Sequence, residues 1–165
     1  MKTLFAYYSL EGNCRALSQH MAAAVGGETE ELRLLANDMP TGAVGKYLAG
    51  GKRSVMKEAA LLHPPRHDPA AFDLIVVGGP VWAWGMTPAV RGFLAGNDWT
   101  GKRLAVFSMH RGGKGWVARS MADLAKRHGA VVVGENAFVD LRRGDAEKTK
   151  AAAAEWAAEM VESVL

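Results

Sequence analysis

The chain has one cysteine, Cys14, so an internal disulfide cannot form and a cysteine-built zinc site is excluded. Long hydrophobic runs are missing too. The most apolar stretches, 74–77 and 131–133, fall far short of the ~18 residues that a membrane-spanning helix requires. Glu11 interrupts the start before any small-residue cleavage pattern develops, and Lys2 is the only basic side chain ahead of it. No secretory leader is expected, and the sequence reads as cytoplasmic. Three further signatures are absent: the Gly-Lys-Ser/Thr phosphate loop, the three-glycine dinucleotide fingerprint and the Gly-x-Ser-x-Gly hydrolase elbow. His63 and His67 have the spacing of a helical metal pair, but Pro64 and Pro65 stand between them and no helix runs through both. No metal is expected.

What is present fits one globular domain spanning 1–165, since 49% of the residues are apolar and 22% charged. The net charge of +3 is unevenly placed: 39–70 carry five Lys or Arg against two acids, 111–127 five against one, and 128–165 four against seven. Neither basic stretch has the dense, aromatic-interleaved run of a nucleic-acid surface. Both read as solvated faces, and no nucleic-acid partner is expected.

Residues 2–8 are apolar, aromatic and rich in strand formers, and they end at Ser9, Glu11, Gly12 and Asn13, which favour turns and caps. From Asn13 the period changes. Leu17, Met21 and Val25 recur every fourth residue with Ala16 and Ala24 beside them, and Gly26 and Gly27 stop the helix. Residues 28–35 read as a shorter strand, 37–69 as irregular with a short helix around 52–62, and 73–79 as a strand buried on both faces. A loop over 80–88 leads to a helix from Pro88 to about Ala95, where proline in the first turn costs nothing. Residues 103–109 form another buried strand, 110–115 a glycine-rich loop, 116–128 a helix and 130–139 a fifth strand. Asp145 caps a last helix with Ala152, Trp156, Met160 and Val164 on one stripe.

Strands alternating with helices imply parallel pairing with right-handed crossovers, hence an α/β three-layer sandwich around five strands. Ligands of such sheets sit beyond the carboxyl ends of the strands, where the winding reverses. Three loops lie there. Ser9-Leu10-Glu11-Gly12-Asn13-Cys14 joins a strand end to a helix start, so backbone N–H groups and the helix dipole converge on a point that suits a phosphate. An ordinary strand-to-helix turn has the same composition. Pro80-Val81-Trp82-Ala83-Trp84-Gly85 sets two indoles at the mouth of the sheet, where they can stack on a planar ring or serve as core. Ser108-Met109-His110-Arg111-Gly112-Gly113 adds flexible amides with cationic and imidazole side chains that can edge the same ring.

The strings Tyr7-Tyr8-Ser9-Leu10-Glu11-Gly12-Asn13, Asp73-Leu74-Ile75-Val76-Val77-Gly78-Gly79-Pro80-Val81-Trp82-Ala83-Trp84 and Gly101-Lys102-Arg103-Leu104-Ala105-Val106-Phe107 resemble the flavodoxin family. Pro88 and Arg91-Gly92-Phe93-Leu94 extend the match, which runs in order along nearly the whole chain. The resemblance implies a single flavodoxin-like domain with strand order 2-1-3-4-5 and a non-covalent flavin mononucleotide, FMN. It implies that residues 9–14 hold the phosphate and that the ring lies between residues 80–85 and 108–113, with Trp82 or Trp84 over one face. A peptide near the ring would rotate to accept a hydrogen bond from the reduced flavin, and Gly85 and Gly112 are the candidates.

Relative to the family's common phosphate loop, Glu11 and Cys14 stand where threonine is usual. A carboxylate ~6 Å from a phosphate dianion costs on the order of 1 to 1.5 kcal/mol in water-like surroundings. That cost is tolerable if the Glu11 side chain points to solvent while its N–H faces the ligand. Cys14 is either a small replacement for threonine or a thiol whose pKa the helix start lowers. Arg111, Lys114 and His110 give the ring loop a basic character, opposite to the acidic electron shuttles. Electron transfer to a redox partner protein and NAD(P)H-dependent reduction of a small quinone-like substrate or of a flavin both follow from the resemblance. A module of this shape that has lost FMN is the third reading. A phospho-accepting signalling domain needs an aspartate at the end of the third strand, where this chain has Gly78-Gly79-Pro80.

Overall fold

The computed structural model describes residues 1–35, 60–113 and 116–165. The stretch 46–57 and most of the helix expected at 52–62 lie outside the described residues, as do Lys114 and Gly115. Of that helix, the described residues 60–62 are not helical, and Leu62 instead bridges Leu34 in antiparallel fashion.

Strand β1 (Thr3–Tyr7) is followed by helix α1 (Asn13–Val25) and strand β2 (Glu28–Glu31). A 3-10 turn at Pro69–Ala71 leads into β3 (Leu74–Trp82), β4 (Gly85–Met86) and α2 (Pro88–Ala95). Then come β5 (Arg103–His110), α3 (Val117–Arg127), β6 (Val131–Val139) and α4 (Ala146–Glu162). The parallel strands lie in the order β2-β1-β3-β5-β6, which is 2-1-3-4-5 when only parallel strands are numbered. The short β4 is an addition. It folds back antiparallel on the end of β3, pairing Val81 with Met86 and Trp82 with Gly85, so much of the loop expected at 80–88 is a hairpin.

Alternation along each strand divides the core into two layers. Leu4, Ala6, Ile75, Val77, Leu104 and Val106 face α2 and α3, whereas Phe5, Leu74, Val76, Ala105 and Phe107 face α1 and α4. Burial on both faces explains why 74–77 is an unbroken apolar run. Gly78 is needed for a different reason: a Cβ there would stand 2.0 Å from the Phe107 ring of the neighbouring strand. Caps fix the helix starts, as Thr87 Oγ1 accepts the Val90 N–H at 3.4 Å and Asp145 Oδ1 accepts the Lys148 N–H at 3.1 Å.

Two helix faces differ from expectation. In α1 the buried companions of Leu17 and Met21 are Cys14, Ser18 and Ala22, while Ala16 and Ala24 are exposed. In α4 Ala153 and Ala157 are buried beside Trp156, and Ala152 faces out. A four-residue repeat drifts around a helix of 3.6 residues per turn, so alanines flanking the stripe fall on either side of its edge.

The two outer strands differ from the inner ones. In β2 the sequence Glu28-Thr29-Glu30-Glu31 leaves little apolar surface, and His67 sits between two of its carboxylates, 2.9 Å from Glu28 and 2.7 Å from Glu30. In β6 the register shifts between the partners of Leu104 and Ala105, which leaves Val133 as an extra residue. Among the described residues no helix is long and apolar enough to cross a membrane, and no group of three His, Cys, Asp or Glu could hold a metal ion.

Candidate functional site

A cleft of about 310 Å³ opens at the carboxyl edge of the sheet, where β1 and β3 lead their crossovers to opposite faces. Of the eighteen residues expected there, all but Gly12, Gly85 and Ser108 line it, and Asp140 joins them. Asp140 follows directly on β6. Applying the carboxyl-end rule to the last strand as well as to the other three would have pointed to it.

The first wall is the bend between β1 and α1. Gly12 adopts φ 90°, a left-handed conformation that costs other residues energy, and its N–H donates to Ser9 Oγ at 3.1 Å. It is also the N-cap of α1, and no side chain caps that helix. The positive end of α1 thus faces the cleft with its first-turn amides.

The second wall is the β3–β4 hairpin. Its two turn residues, Ala83 at φ 42° and Trp84 at φ 64°, are both left-handed, as a tight two-residue turn of this hand requires. Neither is the glycine or asparagine that such a turn favours. The turn separates the two indoles by role: Trp82 is 5% exposed and meets Tyr8 edge-on with ring centroids 5.7 Å apart, whereas Trp84 is 74% exposed. Trp84 reaches over the third wall, since a Cβ on Gly113 would lie 2.9 Å from its six-membered ring.

In that third wall Met109 and His110 sit on opposite faces of β5. His110 is buried, and its Nδ1 donates to the Gly112 carbonyl; because a carbonyl only accepts, the proton is on Nδ1. His110 is therefore a buried support beneath the glycines. Ser108 lies wholly inside, off the cleft. Of the two glycines expected near the ring, Gly112 lines the cleft and Gly85 is engaged in the hairpin.

Charge in the cleft is organised around two carboxylates. Asp140 accepts from Asn13 Nδ2 at 3.0 and 3.1 Å, from Arg111 Nε at 2.9 Å and from the Arg142 N–H at 2.9 Å. Burial raises its pKa, but the Arg142 N–H, the Arg111 hydrogen bond and both guanidinium charges outweigh it and hold the carboxyl below the usual range. Glu11 pairs with Arg111 and with Arg142 Nη1 at 3.3 Å. These four side chains balance, two cations against two anions, so Arg111 does not act as the uncompensated positive charge that the sequence suggests. Cys14 is fully buried: desolvation first, and then the Asp140 charge, push its thiol well above the ordinary range. The helix start does not activate it, and it serves as a small packing residue.

No protein-family model and no curated protein matches the chain. Among solved structures it is similar to a flavoprotein in complex with FMN from Lactobacillus acidophilus, with 19% identity, TM-score 0.70, and 90% of this chain and 97% of that one covered. The oxidised Flavodoxin 2 from Bacillus cereus has 17% identity and TM-score 0.65 over 98% of this chain and 99% of that one. A Fusobacterium nucleatum flavodoxin bound to flavin mononucleotide has 12% identity and TM-score 0.62, with 99% of each chain covered. Strand order, the placing of the helices on the two faces and these superpositions agree that the chain has the flavodoxin-like fold.

Proposed function

We propose that this protein binds FMN non-covalently in the cleft and serves as a flavodoxin-like redox protein. The observation that carries the reading is the meeting, at one switch point, of a helix start without a side-chain cap and an exposed indole opposed to Gly113. The donor chemistry fits an elongated ligand with an anionic tail and a flat body. Amides at the start of α1 would receive the phosphate, aided by Ser9 and Asn13. Trp84 would cover one face of the ring, and the backbone of Gly112 and Gly113 would meet its polar edge. The cleft volume of about 310 Å³ lies at the lower end of cofactor sites, roughly 300–1,000 Å³. Two of the similar structures contain FMN, which adds to the case.

Bound flavin would supply one- and two-electron transfer; the chain's part is to seat it, orient it and keep water from one ring face. Electrons would pass to a redox partner protein or to a small quinone-like substrate across the open mouth beside Trp84. Adding FMN to the purified protein should give a yellow complex, with shifted absorption bands and a higher melting temperature. Unchanged bands and an unmoved melting temperature overturn the proposal. In the complex, steady NADH or NADPH oxidation with a quinone marks a reductase, and reduction only through a separate reductase marks a carrier.

A further inference from the structure

The bend that opens α1 carries a carboxylate, and a side chain from the far edge of the sheet is already in contact with it. Arg142 donates from Nη1 to the Glu11 carboxylate at 3.3 Å and from Nη2 to the Glu11 main-chain oxygen at 3.0 Å. Its own N–H is held by Asp140, so the start of the side chain is anchored while its end lies across the bend. The guanidinium is about half exposed and can turn without leaving a buried environment.

We propose that Arg142 is a specificity-determining residue of this cleft, one that favours a flavin with a phosphate tail over the same ring without it, and that Glu11 opposes it. The inference rests on the FMN reading. Before a ligand enters, Arg111 and Arg142 balance Glu11 and Asp140. A phosphate dianion at the bend adds two negative charges beside Glu11, and the α1 amides, Ser9 and Asn13 carry no full charge to offset them. A guanidinium presents a planar fork that matches phosphate oxygens, and Arg142 already spans the segment that would carry them. It can turn from Glu11 to the phosphate, while Arg111, tied to both Glu11 and Asp140, keeps the carboxylate in place. The two acidic and two basic groups thus act as an adjustable counter-charge. Riboflavin, which lacks the phosphate, would engage none of it.

Calorimetric titration of the full chain with FMN and with riboflavin tests this. R142Q should weaken FMN about tenfold, the scale of one charge-assisted hydrogen bond at a partly exposed site, and leave riboflavin unmoved. E11Q should tighten FMN and again leave riboflavin alone. R143Q removes the same charge from the exposed neighbouring residue and should have no such effect. Should R142Q lower the melting temperature of the free protein, R142K replaces it, with an expected FMN affinity between those of wild type and R142Q. Equal loss for both ligands, no loss for either, or an equal loss in R143Q overturns the inference while the FMN reading stands. Wild-type protein that binds neither flavin overturns the FMN reading itself, and this inference with it.

Discussion

Trp82 meets Tyr8 edge-on inside the layer that faces α2 and α3, whereas Trp84, two residues on, projects from a left-handed turn. Their alanine variants should separate stability from binding. Trp82→Ala empties a packed position and should cost about 3 to 5 kcal/mol in urea unfolding. Trp84→Ala should change stability by less than about 0.5 kcal/mol and weaken FMN by about tenfold, as loss of one stacking face implies. The reverse pattern would contradict the assignment of roles. Asp140 makes a pH prediction with a definite sign. Its carboxyl is held below the unfolded value, so its contribution is present above the usual carboxylate pKa and disappears as the pH falls through the folded one. Asp140→Asn should therefore be less stable than wild type at neutral pH, and the gap should close as the pH falls through and below the usual carboxylate range. Urea midpoints across that range check it. A gap that stays constant assigns the loss to shape and not to charge.

At the scale of elements, β3 carries most of the positional information. Its first half is clamped between β1 and β5 and its second half turns into the hairpin that presents Trp84. Gly78 lets the Phe107 ring lie against the strand, and Phe107 is fixed by Phe138 and Trp156, so the ring has little room to retreat. Gly78→Ala should cost about 2 to 3 kcal/mol by overpacking, read as a lower urea midpoint with unchanged strand content. Elements with strong local signals are legible in the amino-acid sequence. The helix from Pro88 to Ala95 has its start written in Thr87 and Pro88, and the strands at 74–77 and 103–109 declare themselves by the apolar runs 74–77 and 104–107. The hairpin is not legible there, because Ala83 and Trp84 carry none of the glycine or asparagine that announces such a turn. Asp140, Arg142 and the compensation of Arg111 are hidden for another reason. Pairings between residues 11, 111, 140 and 142 come from sheet order, and no local pattern encodes them.

For the whole molecule, the excess of +3 is not mirrored among the described side chains of the cleft, where cations and carboxylates pair. The guanidiniums nearest the ring loop are matched by Glu11 and Asp140. Arg111→Ala would remove one cation that pairs with both carboxylates. At ~8 Å, one unit of charge is worth about 0.5 to 2 kcal/mol as the effective dielectric falls from 80 to 20, so the second-electron potential of bound flavin should drop by about 20 to 90 mV. An unchanged or raised potential in a redox titration would show that the carboxylates do not act on the ring.

The two outer strands have a consequence for life at high concentration. A parallel sheet with clean flanks invites strangers to add to it, rung upon rung. One flank here is a short row of glutamates with a histidine clasped between two of them, and the other is kinked by an extra valine. Neither offers a long, uninterrupted template, so adding a further strand at either flank is disfavoured.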